Sequence, residues 1–254
     1  MTPAIADGAA ILEIEEDAAQ EAHLHPDFGA GLTIPGRNST AVDLRAVPLR
    51  LLAEREAPTL PPSAGWCGTS KMAWFHRPFA FAVGVNALQN GDGVLAWLAG
   101  NDRWRRDDGG FYTADVMSVE KLDPPALCAR LFNAEGRSGL ERAASMLFGE
   151  QLKLHGPVVA HRMTPPQGIG IHSDAPQPDE ETHRLVVLLA DGWSRPQGGH
   201  FVLLERDSPM SARTIIPHRH NTAIAFRLTG QSFHAVTTLT SGRRFSIVAS
   251  FRPA

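Results

Sequence analysis

The stretch that decides the reading runs from position 172 to position 246: His172-Ser173-Asp174, then Gly198-Gly199-His200, then His234, then Gly242-Arg243-Arg244-Phe245-Ser246. On an extended strand, residues two apart point the same way, so His172 and Asp174 can grip one ion from a single strand end. His234 completes the set when a crossing strand brings it alongside. Two imidazoles and one carboxylate on one face of an octahedral ion leave three adjacent positions open to other ligands. Arg244 falls on the strand after a hairpin, deeper in a rolled sheet. A buried guanidinium there pairs bidentately with a carboxylate. Ser246, two residues on, faces the same side and adds a hydroxyl.

Around these residues the hydrophobic period shifts from 3.6 towards 2 at about residue 157. Candidate strands are Val158–Met163, Gly170–Asp174, Arg184–Ala190, His200–Glu205, Ala212–Ile216, Thr222–Leu228, Ser232–Leu239 and Arg244–Phe251. Pro165-Pro166, Gly198-Gly199, Thr229-Gly230 and Ser241-Gly242 supply turn signals between them. Short strands at this spacing, after a helical first half, predict an α+β chain with a mainly β core. The architecture expected is a double-stranded β-helix, a jelly-roll variant, with helices from the N-terminal half bracing one sheet.

The ordered set His172-x-Asp174, Arg184 to Trp193, Gly198-Gly199, His234 and Gly242-x-Arg244-x-Ser246 resembles the Fe(II)/2-oxoglutarate-dependent oxygenases, within them the prolyl-4-hydroxylase-like group, over roughly residues 75–254. The resemblance implies that His172, Asp174 and His234 bind iron and form the catalytic centre. It implies that Arg244, with Ser246, holds the distal carboxylate of 2-oxoglutarate. His161 and Arg162 sit on the preceding strand, where alternation turns one of them to the cavity. Arg162 is a candidate contact to cosubstrate or substrate, against a structural ion pair. One departure is His200, where the family often has an acidic residue.

The implied cofactors are Fe(II), the cosubstrate 2-oxoglutarate, and O2. The implied reaction hydroxylates an unactivated C–H bond of an amino acid, peptide or small metabolite, with release of succinate and CO2. Asp174 favours hydroxylation over halogenation, for which related enzymes replace that carboxylate by a small residue. Desaturation, ring formation and epimerisation need only a different fate for the substrate radical. A rival of another class is a cupin-like metal-binding barrel, an isomerase or sensor, which needs the His and Asp ligands but not Arg244 and Ser246. A third reading is a degenerate scaffold that binds a partner through residues 1–70.

Composition narrows the classes further. The chain has 254 residues, long enough for a sizeable core. Its net charge of −3 gives no basic footprint for nucleic acid. Cys67 and Cys128 are far apart and read as reduced thiols rather than metal ligands. The N-terminus lacks a basic n-region, and no apolar run reaches membrane-spanning length. A soluble cytoplasmic protein is the expectation.

A soft boundary falls near residue 70. Residues 1–70 are an N-terminal extension of unknown role, packed on the barrel or shaping substrate access, and residues 71–254 the oxygenase domain. Residues 9–22 read as an acidic helix, with His23 and His25 as loop histidines. Residues 41–55 read as helical with a break at Pro48, and residues 57–63 as a Pro-rich connection. Phe79–Val85 reads as a strand, and Asn86 as the N-cap of a helix that Gly100 stops. Residues 101–110 read as a solvated charged loop rather than a trap for acidic substrates. Two helices are expected over Pro124–Phe132 and Ser138–Leu152. His183, His218 and His220 read as solvated loop residues, Trp193 and Phe226 as core rather than substrate platforms, and Asp179, Glu180 and Glu181 as a solvated acidic loop rather than a lid that attracts a cationic substrate.

Overall fold

The computed structural model describes residues 32–36, 41–45, 47, 50–51, 66, 72–119, 124–175, 180–192, 194 and 197–254. The elements run β1 (Thr33–Pro35), β2 (Ala41–Asp43), β3 (Arg50–Leu51), β4 (Ala73–Phe75), β5 (Phe81–Val85), α1 (Gly91–Ala99), β6 (Arg105–Gly109), β7 (Tyr112–Ser118), α2 (Ala126–Phe132) and α3 (Ala134–Phe148). They continue with β8 (Leu152–Leu154), β9 (Val159–Met163), β10 (Ile169–His172), β11 (His183–Leu189), β12 (Phe201–Leu204), β13 (Ala212–Ile216), β14 (Thr222–Arg227), β15 (His234–Val236) and β16 (Arg244–Pro253).

The large sheet follows the order β3-β13-β12-β15-β10-β7-β9-β16-β11-β14-β5-β4, with β6 on β7 and β8 on β16. It folds into two leaves where β10 meets β7 through the single pair Ile169↔Tyr112. The leaves face each other across a core that joins Phe201, Leu203 and Val236 of one to Phe81, Val186 and Phe226 of the other. This is the expected double-stranded β-helix.

Strand alternation explains the layering. On β16, Phe245, Ile247, Ala249 and Phe251 pack beneath the helices with Leu140 and Phe148 of α3. The intervening Arg244, Ser246, Val248 and Ser250 line a cavity inside the roll. β11 repeats the pattern in register, with Leu185, Val187 and Leu189 outward and Arg184 and Val186 inward. The opposite leaf buries Val202, Leu204 and Ile215 against Leu32, Ile34, Leu44 and Val47.

The first half departs from its sequence reading in three places. Residues 41–55 are not helical where described: β2 pairs antiparallel with β1, and β3 adds parallel to β13. A sheet edge offers backbone partners that outweigh weak local helix propensity. The charged stretch 101–110 is partly a hairpin arm, β6 on β7, whose Arg106 pairs across to Asp115 at 3.7 Å. An exposed arm tolerates charges that a period-2 search for apolar residues overlooks. Helix starts also move. Asn90, not Asn86, caps α1 by accepting from Gly93 N at 3.2 Å, and Asn133 caps α3 by accepting from Gly136 N at 2.9 Å. α3 stops at Phe148, so Leu152 belongs to β8.

Three histidines read as solvated are engaged. His183 is buried 3.2 Å from Glu150, His218 is buried and donates from Nε2 to the Leu189 carbonyl at 3.0 Å, and His220 accepts from Ala190 N at 3.3 Å. The readings on residues 9–22, His23, His25, Pro48, residues 57–63, Cys67, Asp179 and Trp193 lie outside the described residues.

Asn221 ties α1 to the roll. Its Oδ1 accepts from Leu88 N and its Nδ2 donates to the Leu88 carbonyl, both at 2.8 Å, while its own carbonyl accepts from Ala87 N at 3.1 Å. Asn221→Ala strands two buried backbone groups and should cost about 2–4 kcal/mol. The loss should appear as a lowered urea midpoint at unchanged slope, and an unchanged midpoint would contradict the clamp.

Candidate metal centre

β10 and β15 run antiparallel and place His172 directly opposite His234. Each ring is fixed by the backbone two residues before it. His172 Nδ1 lies 2.9 Å from the Gly170 carbonyl, and His234 Nδ1 lies 2.9 Å from the Ser232 carbonyl. A carbonyl only accepts, so each Nδ1 carries the proton and each Nε2 lone pair points into the cavity. A hydrogen-bonded second nitrogen of this kind is the usual support for a metal-binding imidazole.

Asp174 arrives by a different route from the one its spacing predicts. β10 ends at His172, and the chain turns through a left-handed residue, Asp174 with φ 48°. The turn, not strand alternation, brings the carboxylate round. Its Oδ2 stands 3.4 Å from Nε2 of both His172 and His234. One donor atom from each residue lies within 4.8 Å of the others. Donors about 2.1 Å from a small divalent ion stand about 3 Å apart at right angles. The trio is therefore close to the spacing that a facial metal site needs.

Packing holds the rings. Phe201 stacks on His234 at 5.3 Å, Phe226 meets it edge-on at 5.0 Å, and Phe111 lies over His172 at 4.8 Å. Burial and the neighbouring His172 push the His234 imidazole down to about 4, leaving it neutral as a ligand must be. Burial would raise the Asp174 carboxyl. The two imidazoles and the Arg184 charge outweigh that and hold it well below the usual carboxylate range.

Arg244 sits deeper, 2 % exposed. Its Nε donates to the Gly199 carbonyl at 3.0 Å and its Nη1 to Ser246 Oγ at 3.2 Å. Gly198 and Gly199 both hold left-handed backbone, φ 77° and 72°. A Cβ on Gly199 would stand 3.0 Å from Arg244 Cδ, so the Gly pair makes room for the guanidinium as well as the turn. Burial pushes the guanidinium down to about 10, which leaves it charged at neutral pH. Among the described residues no carboxylate pairs with it. A buried cation without a counter-ion is costly, and a dicarboxylate whose far end reached Arg244 would supply the missing charge. The cavity between Arg244 and the trio is about 260 Å³.

Not every candidate from the sequence reaches this cavity. His161 lines it, opposite Ser246 across β9 and β16, and burial with the Arg244 and Arg184 charges lowers its imidazole to about 4. Arg162 points the other way. It pairs with Asp115 at 2.8 Å and lies over the Trp104 ring, so alternation chose its neighbour. Phe111 and Arg184 gained no site role from the sequence. The β6–β7 hairpin that presents Phe111 was hidden by its charges, although Gly109-Gly110 just before the aromatic pair is a turn signal.

Residues 158–252 match the family model described as the 2OG-Fe(II) oxygenase superfamily. Several solved structures are similar. A prolyl-4-hydroxylase from Pseudomonas putida is 14% identical over 68% of this chain and 92% of that chain, with a TM-score of 0.54. A prolyl hydroxylase from Trichoplax adhaerens, in complex with a hypoxia-inducible factor oxygen degradation domain peptide fragment, is 13% identical over 67% and 82%, with a TM-score of 0.52. The non-heme alpha-ketoglutarate-dependent epimerase SnoN from nogalamycin biosynthesis is 16% identical over 68% and 78%, with a TM-score of 0.51. No curated protein matches the chain by sequence. At such identities the structures speak for the fold, and the family model for the segment that contains the trio, Arg244 and Ser246. Residues 158–252 thus resemble the 2OG-Fe(II) oxygenase superfamily, and that resemblance implies Fe(II), 2-oxoglutarate and O2.

Proposed function

We propose that this protein is an Fe(II)- and 2-oxoglutarate-dependent dioxygenase that hydroxylates an unactivated C–H bond of an amino acid, peptide or small metabolite. The observation that carries the reading is the pairing of an inward-facing Nε2, Nε2, Oδ2 trio with a buried Arg244, which has no carboxylate partner among the described residues, at the far end of one cavity. Iron and cosubstrate, when bound, supply the O2-dependent oxidation of a C–H bond, with succinate and CO2 as co-products.

The chain's own residues prepare that chemistry. His172, Asp174 and His234 would hold the metal through Nε2, Oδ2 and Nε2. Arg244, steadied by Gly199, would take the distal carboxylate of the cosubstrate, with the Ser246 hydroxyl beside it. Val186, Phe201 and Val236 give the space between an apolar wall. The pairing of Arg162 with Asp115 supports a structural part for that residue rather than a cosubstrate contact. Residues 1–70 are proposed as an extension that serves the 71–254 domain, since β1 and β3 lie on the leaf that carries both histidines.

A cupin-like barrel without 2-oxoglutarate turnover would need the trio but no buried cation, so Arg244 favours the oxygenase. Among the described residues no helix is long and apolar enough to cross a membrane.

Succinate release from 2-oxoglutarate under air with Fe(II) tests the reading. Asp174→Ala should lose metal binding, measured as metal stoichiometry after anaerobic loading. Arg244→Ala should keep the metal yet weaken 2-oxoglutarate binding about tenfold to a hundredfold, since a charge-assisted contact is worth about 1.5–3 kcal/mol. Equal cosubstrate affinity in wild type and Arg244→Ala would remove Arg244 from the assignment. A metal-loaded wild type that neither binds nor consumes 2-oxoglutarate would point to the cupin-like alternative.

A further inference from the structure

We infer, on the oxygenase reading above, that the substrate is a free α-amino acid with an uncharged side chain, held by Arg184 through its carboxylate and by Glu181 through its ammonium. The inference begins with the two ends of the cavity. β16 lines it with Arg244, Ser246, Val248 and Ser250 in turn, and Arg184 of β11 stands directly opposite Ser250. One cation therefore closes the deep end and another stands at the other end, beside the metal trio.

Arg184 is built into a pair rather than a surface bridge. Its side chain is 16% exposed, with Nη1 on Asp174 and Nη2 on Glu181, and its Nε is buried with no partner among the described residues. Asp174 is one of the candidate metal ligands. Glu181 has no such second duty. It is the partner that a ligand carboxylate can replace on the guanidinium, and it is then free to receive a ligand cation. A zwitterion exchanges one internal ion pair for two, with bidentate geometry available at Arg184.

Charge and size select the same class. Among the described residues the cavity lining carries two carboxylates, Asp174 and Glu181, against two guanidiniums, Arg184 and Arg244. A doubly positive metal and a doubly negative cosubstrate leave that balance at zero, so a ligand of zero net charge adds no uncompensated buried charge. The volume of about 260 Å³ lies just below the roughly 300–1,000 Å³ of drug-sized pockets, and the cosubstrate takes much of it. Pro157, Val159, Val186 and Val248 line the remaining wall, which suits an aliphatic side chain and repels a charged one. Arg184 touches Asp174, so the α-carbon anchored there lies near the trio. Oxidation then falls on a side-chain carbon.

The test uses the full chain, loaded anaerobically with Mn(II) and 2-oxoglutarate. The standard free amino acids, their N-acetyl forms, their C-terminal amides and alanine-flanked tripeptides are titrated by calorimetry. The Fe(II) enzyme is then assayed for succinate with each binder. At least one free aliphatic amino acid should bind and stimulate succinate formation, and blocking either end should weaken it at least about tenfold. Glu181→Gln should abolish discrimination against the N-acetyl form while keeping it against the amide. Arg184→Gln should do the reverse. These are ratios within one variant, so a general loss of metal affinity does not mimic them. Blocked or peptide-embedded residues that bind as well as the free amino acid would overturn the inference. So would a protein that binds metal and 2-oxoglutarate but no free amino acid. Failure to bind 2-oxoglutarate at all would instead strike the oxygenase reading on which it rests.

Discussion

Two hydrogen bonds from imidazole to backbone, each reaching back two residues along the chain, set the geometry of this site. They fix the tautomer of His172 and His234 and turn both Nε2 atoms inward. They work together only because β10 and β15 are paired in the register that sets those residues face to face. That pairing joins strands distant in sequence, and the roll of the sheet makes it available. The bulk of the fold thus serves one local requirement: two neutral nitrogens and a carboxylate oxygen converging on a point.

The second constraint is charge. A guanidinium buried as deeply as Arg244 would destabilise the fold unless its donors were satisfied. The protein meets the need partly with a carbonyl from a Gly-Gly turn and a serine hydroxyl. What those groups cannot supply is negative charge, which on the proposed reading a dicarboxylate cosubstrate would bring. At the other end, Arg184 is compensated twice over by Asp174 and Glu181. The two arginines differ in their partners, and on the proposed reading that difference would separate a cosubstrate end from an end suited to a ligand of mixed charge.

Much of the C-terminal half was legible because its strands alternate. In β16, Arg244-Phe245-Ser246-Ile247-Val248-Ala249 already separates cavity from core in the sequence, and β11 repeats the pattern. His172, Arg244 and Ser246 face the cavity as strand alternation predicts, while Asp174 reaches its place through a left-handed turn that period-2 reasoning does not contain. The choice between His161 and Arg162 turned on strand phase, which the sequence leaves open and the register of β9 on β16 decides. The first half was less legible. β2 and β3 are too short to show a period, and β6 is charged on an exposed arm, so each takes its structure from a partner strand rather than from its own pattern. The helices were recognisable, but their starts differ from the sequence reading: Asn90 rather than Asn86 caps α1, and Asn133 caps α3 ahead of Ser138.

The most direct measurement is the structure of the protein loaded anaerobically with Fe(II) and 2-oxoglutarate. The account predicts one ion ligated by His172 Nε2, His234 Nε2 and Asp174 Oδ2, with the distal carboxylate of 2-oxoglutarate on Arg244. An ion bound elsewhere, or ligation through Nδ1 with the backbone hydrogen bonds broken, would contradict it.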